Sequence, residues 1–113
     1  TDPQIHLDRY AVVQQAWDAA GRAGRPRLVA ACNFALGPDA EDAFVKHAHT
    51  YYGYDDALLR DALDSPTPTS PRRILDFVAR CEDAGIDELV FTTVTADTMT
   101  AMRELADVLG DRR

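Results

Sequence analysis

The stretch FVARCEDAGIDELVFTTVTADTMTAMRELADVLG, residues 77–110, decides the fold class. An apolar helical repeat ends at Gly85, and the β-branched and aromatic run ELVFTTVT follows at 88–95. Glycine is the usual residue just past a helix end, and the composition of 88–95 favours a strand. Asp97 then caps a last helix that ends at Gly110. The order helix, strand, helix predicts an α/β protein.

A second strand is predicted further upstream. Leu28 begins a continuous apolar run, and the run is typical of a strand over 27–36 that is buried on both faces of a parallel sheet. Helices are predicted over 6–23, 40–52, 55–63 and 71–84, with a loop over 64–71. The order is therefore α-β-α-α-α-β-α, and strands separated by helices imply parallel pairing. Ser70 as a cap with Pro71 at the first helical position is a strong start signal.

Apolar stripes predict which side of each helix is buried. The predicted inner positions are Tyr10, Val13, Trp17 and Ala20 in the first helix, Ala40, Phe44, Ala48 and Tyr51 in the second, Ile74, Phe77, Val78 and Cys81 in the helix over 71–84, and Met99, Met102, Leu105, Ala106 and Leu109 in the last. Cys32 and Cys81 both have apolar neighbours and are expected to be buried, reduced thiols.

Composition limits the classes of partner. The chain has 113 residues, 46% of them hydrophobic, and a net charge of −7. We expect a single segment over 1–113, since this is the length of one small domain. The negative charge disfavours nucleic acid and anionic membrane surfaces as partners. No signal peptide or apolar run of membrane-spanning length is apparent, so the cytoplasm is the expected location.

The predicted order of helices and strands does not give a complete sheet. A sheet of two parallel strands leaves an open edge on each strand, and all-parallel sheets occur mostly in larger layers or closed barrels. Two explanations stay open at this point. Either two copies of the chain join their edges, or the chain is a piece of a larger barrel.

The C-terminal stretch resembles the end of bacterial luciferase-like flavin-dependent monooxygenases. The similarity rests on the turn AGIDELV at 84–90, the strand after it and the Asp-capped final helix. Upstream, AAGRAGRPRLVAACNFALGPDAEDAF at 19–44 resembles the penultimate strand of that family, and YYGYDD at 51–56 resembles the segment after its helix. The resemblance covers nearly the whole chain.

This resemblance implies a fold and a chemistry. The fold would be the C-terminal portion of a (β/α)8 TIM-type barrel, which needs about 250 residues in full. The chain would close that barrel and wall a pocket for FMN or a deazaflavin in an oxidoreductase, with reduced flavin and a small-molecule substrate as partners. The N-terminal barrel half would come from elsewhere or from a homo-oligomer, and this chain alone would not be active. The alternative is a non-catalytic half-barrel remnant that self-associates or docks on a partner.

In such barrels the functional residues lie at the carboxyl ends of the strands. The candidate cofactor-binding residues are therefore Asn33, Thr92 and Thr95. An amide in an apolar strand needs a hydrogen-bond partner, and for Asn33 that partner is either a flavin edge or neighbouring backbone. The threonines at the end of the second strand either donate hydroxyls to a cofactor or reflect strand propensity alone.

Other site signals are weak. His47 and His49 lie two residues apart on a helix, so they point in different directions and no metal site is expected. The Tyr51 and Tyr52 pair is expected to serve packing rather than to form a stacking platform. The chain has no G-x-S-x-G, G-x-G-x-x-G or P-loop motif, so no catalytic residue is assigned.

Overall fold

The structure, a computed structural model, describes residues 3–53, 55, 57 and 67–110. Its elements are α1 (Pro3–Ala19), β1 (Val29–Phe34), α2 (Ala40–Tyr52), α3 (Pro71–Asp83), β2 (Glu88–Thr93) and α4 (Thr98–Gly110). Most of the predicted helix over 55–63, and residues 64–66 of the predicted loop over 64–71, lie outside the described residues. The other four predicted helices and both strands are present, with ends that differ by a few residues.

The two strands form one parallel sheet. The register joins Val29 to Glu88 at one end and Phe34 to Thr93 at the other. The predicted parallel pairing is therefore confirmed. Within the described residues the sheet contains these two strands, so each of them keeps one edge without a strand partner.

The predicted C-terminal portion of a (β/α)8 barrel, with the order α-β-α-α-α-β-α, is wrong for the part of the chain that the structure describes. That part shows four helices and an open sheet of two strands. A barrel requires strands that close on themselves with a fixed tilt and stagger. The error has a physical cause, because alternation of apolar strands with helices is common to open and closed parallel sheets.

The sheet has one covered and one open side. Burial alternates along both strands, so the expectation of strands buried on both faces is wrong. The covered face carries Ala30, Cys32, Phe34, Leu89, Phe91 and Thr93, and the open face carries Val29, Ala31, Asn33, Glu88, Val90 and Thr92. Successive side chains of a strand point to opposite faces, so helices packed on one side bury every second residue.

The core lies between the covered face and the helices α3 and α4. One cluster contains Phe34, Ile74, Val78, Ala101 and Leu105, and a second contains Cys32, Phe77 and Cys81. The rings of Phe34 and Phe91 meet edge to face with centroids 5.9 Å apart. The predicted inner positions of α3 are all buried, as expected for an amphipathic helix on a sheet.

Both cysteines are free and buried, as predicted. Burial is the main cause that raises the pKa of the Cys32 thiol to about 12, and the neighbouring Cys81 adds to it. Burial also raises the pKa of Cys81. A thiol of this kind stays protonated at neutral pH, and the thiolate is the reactive form. The two side chains therefore behave as small hydrophobic core residues.

The start of α3 is stabilised by its N-cap residue, Ser70. Ser70 Oγ accepts a hydrogen bond from Arg73 N at 3.2 Å, and Pro71 occupies the first turn. This arrangement confirms the predicted start signal. The peptide before it is anchored to the end of β1, because Ala35 N donates to Pro68 O at 3.0 Å.

The helix α1 lies mostly in solvent. Its buried residue is Pro3, and Val13 is 51% exposed, so the predicted inner stripe of this helix is only partly correct. Two side chains tie α1 to the loop that follows it: Tyr10 Oη donates to Pro26 O at 2.8 Å, and Trp17 Nε1 donates to Ala23 O at 3.1 Å. Among the described residues no helix has the length and apolar character needed to span a membrane.

Candidate functional site

The carboxyl ends of β1 and β2 bring two of the predicted site residues together. Asn33 and Thr92 are direct partners in the parallel register and lie on the open face. After β1 the chain turns at Gly37, whose φ of 96° favours glycine, and the next residue is Pro38. Carboxyl ends of parallel strands are the usual place for ligands in open α/β sheets.

The amide of Asn33 finds its partner in a side chain of α2. Asn33 Nδ2 donates to Tyr52 Oη at 3.1 Å, and the amide is half-buried. The sequence left two partners open for this amide, a flavin edge or neighbouring backbone, and the observed bond is to neither. It fixes the Tyr52 ring at the border of the open face.

Three rings form a cluster at the end of α2, here called the aromatic cluster: His47, Tyr51 and Tyr52. His47 stacks on Tyr51 with centroids 5.2 Å apart and planes 9° apart. Tyr52 meets both other rings edge to face, at 5.5 Å from His47 and 5.0 Å from Tyr51. Tyr51 is 75% exposed and Tyr52 51% exposed. The cluster therefore presents ring surface to solvent beside Asn33 and Thr92.

A cleft of about 800 Å³ lies next to this cluster, between α2 and the turn that follows β2. Its lining includes His47, which also belongs to the aromatic cluster, and Lys46, the single lysine of the chain. Asp39 and Asp42 line the same cleft. The cleft is thus lined mainly by apolar surface and carries charges of both signs.

Thr95 lies in this cleft rather than on the open face. Its hydroxyl is 2.8 Å from the hydroxyl of Thr93, and Thr95 N donates to Thr93 Oγ1 at 3.1 Å. The two hydroxyls line the cleft together. The structure therefore places Asn33 and Thr92 side by side on the open face, whereas Thr95 lies in the neighbouring cleft.

In contrast to the carboxyl ends, the amino ends of the strands carry a cluster of ion pairs. Asp87 Oδ2 accepts from Arg25 Nη1 at 3.0 Å and from Leu28 N at 2.8 Å, and Arg27 pairs with Glu88. The hydrogen bonds from Arg25, followed by the one from the backbone of Leu28, hold the pKa of Asp87 at about 2. This cluster joins the start of β1 to the start of β2, so its role is to hold the register of the sheet.

The aromatic cluster contradicts the expectation that the tyrosine pair serves packing. Both tyrosines are more than half exposed. The sequence feature that could have indicated this exposure is the position of both tyrosines in the last turn of a helix. They directly precede Gly53, the C-cap residue with a φ of 65°. Residues there can turn out of the core even when the helical repeat assigns one of them, Tyr51, to the inner side.

Comparison of the chain with protein-family models, with curated proteins and with solved structures finds no match. Within the described residues, no group of three or more His, Cys, Asp or Glu side chains has the arrangement of a metal site.

Proposed function

We propose that the chain binds a flavin at the carboxyl end of its sheet and contributes this site to a flavin-dependent oxidoreductase. The observation that carries the proposal is the exposed aromatic cluster beside the polar pair Asn33 and Thr92. The sequence resemblance to luciferase-like monooxygenases supports the choice of flavin, either FMN or a deazaflavin, over other planar ligands.

The residues present suit the ring of a flavin. A planar ring system stacks on exposed aromatic side chains, and Tyr51 offers such a surface at 75% exposure. The polar edge of the ring needs hydrogen-bonding groups in its plane, and Asn33 and Thr92 carry an amide and a hydroxyl at neighbouring register positions. The bound flavin would supply the redox chemistry, and the chain would orient it and shield one side.

The phosphate of FMN fits less well. The adjoining cleft holds one lysine but also Asp39 and Asp42, and the chain carries a net charge of −7. A phosphate group placed there meets like charges. We therefore expect the ring to provide most of the affinity, so that riboflavin binds at least as tightly as FMN.

The test is a fluorescence titration of riboflavin, FMN and a deazaflavin with the chain. Tyr51→Ala should weaken riboflavin binding about tenfold, the size of a lost aromatic contact, while Tyr51→Phe should keep it. Thr92→Val should weaken binding by removing the hydroxyl at nearly constant volume. If no flavin binds, or if Tyr51→Ala binds as the unchanged chain does, the proposal is wrong.

A second candidate function is that of a non-catalytic association module. The open face of the sheet favours it, because Val29 and Val90 remain 48% and 45% exposed there. A chain that associates through this face and leaves flavin fluorescence unchanged would support this candidate over the first.

A further inference from the structure

The helix α2 lies outside the hydrophobic core of the described residues. Neither core cluster contains a side chain of α2, and none of its partly buried hydrophobic side chains packs against those clusters. The buried residues of α2 are Ala40 and Ala48, whose side chains are single methyl groups. Because so little apolar surface of α2 is buried, the free energy that holds this helix in place is small.

The fixed part of the chain ends just before α2. Leu36 packs against a core cluster, and Ala35 N donates to Pro68 O at 3.0 Å. Gly37 follows with a φ of 96°, and a Cβ atom at this glycine would meet no other atom within 4 Å. Rotation of the backbone at Gly37 is therefore limited neither by its own side chain nor by a packed neighbour. Gly37 is thus a suitable pivot between the sheet and α2.

The other end of α2 is tied to the sheet by a hydrogen bond. Asn33 Nδ2 donates to Tyr52 Oη at 3.1 Å, which joins the carboxyl end of β1 to the last turn of α2. An ion pair between Arg73 and Glu41, 3.6 Å apart, joins the first turn of α2 to α3. Both of its side chains are exposed, so this ion pair contributes little. The hydrogen bond lies farther from the pivot and resists rotation of the helix more effectively.

We propose that α2 is a lid over the carboxyl end of the sheet, that it turns about Gly37, and that the bond from Asn33 to Tyr52 is its latch. The cleft of about 800 Å³ lies between α2 and residues 93–96, so outward rotation of α2 widens it. The same movement releases the Asn33 amide from Tyr52. Hinges of lids are a few residues at the end of an element, as here. The movement belongs to the chain without ligand, so it goes beyond the proposed flavin site and does not depend on it.

Distances between paired spin labels test the proposal in the unliganded chain. Thr50→Cys and Ala96→Cys place labels on α2 and on the turn after β2, at exposed positions that both line the cleft. Cys32 and Cys81 are buried, and burial raises the pKa of both thiols, so they stay unlabelled in the folded chain. Double electron–electron resonance should show a main shorter distance and a minor longer one.

Removal of the latch should shift this balance. Tyr52→Phe should raise the ratio of the longer to the shorter distance about fivefold, the effect of losing one ordinary hydrogen bond. The matched control is Tyr51→Phe, because the Tyr51 hydroxyl makes no hydrogen bond to a described residue. Glu41→Gln should change the ratio less, by about twofold. Circular dichroism establishes that each variant is folded.

A second label pair distinguishes rotation of the whole helix from fraying of its last turn. Lys46→Cys with Ala96→Cys reports on the middle of α2, at another exposed position that lines the cleft. Rotation about Gly37 lengthens this pair as well, by less than the pair at Thr50, since Lys46 lies closer to the pivot. Fraying lengthens only the pair at Thr50.

A third label pair serves as the fixed reference. Ala79→Cys with Asp107→Cys lies at exposed positions of α3 and α4 and should keep one distance in every variant. A first pair with a single distance that Tyr52→Phe leaves unchanged overturns the lid, and so does lengthening of the first pair without lengthening of the second. Equal effects of Tyr51→Phe and Tyr52→Phe overturn the latch.

Discussion

The two faces of the sheet are made of the same two strands, yet the side chains of one face are more deeply buried than those of the other. On the covered face Phe34 is fully buried and Cys32 is 4% exposed, whereas on the open face Val29 and Val90 stay almost half exposed. These four residues are all apolar, although the open face as a whole is the more polar one because it also carries Asn33, Glu88 and Thr92. What differs is the presence of α3 and α4 on one side, so burial here is a property of the neighbours rather than of the strand residues.

The largest expected difference between the faces is in thiol reactivity. Cys32 is buried and its pKa is raised to about 12, so a maleimide reagent should modify it only after unfolding. Ala31→Cys places a thiol one residue away on the open face, and we expect it to react about 10³-fold faster at pH 7.

Mass spectrometry of a labelling time course measures both rates. The matched control is Ala30→Cys, which lies on the covered face and should be as slow as Cys32. Equal rates at positions 30 and 31 would mean that the two faces are equally accessible, which contradicts the described burial.

The next effect is on stability. Phe34→Ala removes a fully buried ring that packs on Phe91, and we expect it to lower the free energy of unfolding by about 3–5 kcal/mol. Val90→Ala on the open face should cost less than about 1 kcal/mol in the monomer, because little apolar surface is buried there. Urea denaturation at low chain concentration measures both changes.

A domain of this size is stable by only about 5–15 kcal/mol, so Phe34→Ala can approach complete unfolding. Phe34→Leu keeps most of the volume and gives a measurable intermediate case. A larger loss from Val90→Ala than from Phe34→Leu would reverse the assignment of the covered and open faces.

The smallest expected effect concerns the ionic cluster at the amino ends of the strands, where both faces begin. The pKa of Asp87 is lowered to about 2 in the folded chain, against about 3.9 in an unfolded one. Its contribution to stability is therefore complete above about pH 4 and is lost as the pH falls towards 2. Asp87→Asn should show a smaller loss of stability between pH 6 and pH 2.5 than the unchanged chain.

Urea midpoints at the two pH values give this comparison. The exposed Asp107→Asn in α4 is the control and should show the same acid loss as the unchanged chain. If Asp87→Asn and Asp107→Asn behave alike, the bonds from Arg25 and Leu28 do not stabilise the fold.

Local elements were predictable because their signals are local. The cap at Ser70 and the apolar stripe of α3 depend on residues within a few positions of each other, and both are confirmed. The parallel pairing also followed from the order of elements. The site was predictable only in part: the register places Asn33 beside Thr92, but the bond from Asn33 to Tyr52 joins residues 19 positions apart and has no local signal.

The sequence by itself determined the helices, the two strands, their parallel pairing and the buried, free cysteines, since helical periodicity, caps and strand composition act within one element. Only the tertiary structure decided that the sheet formed by the described residues is open, which of its faces is covered, and that Tyr51 and Tyr52 are exposed to solvent beside Asn33. These features depend on which elements meet across the chain. An apolar strand such as Val29–Phe34 is compatible with a barrel or an open sheet, and the packing of α3 and α4 on one side alone distinguishes its two faces.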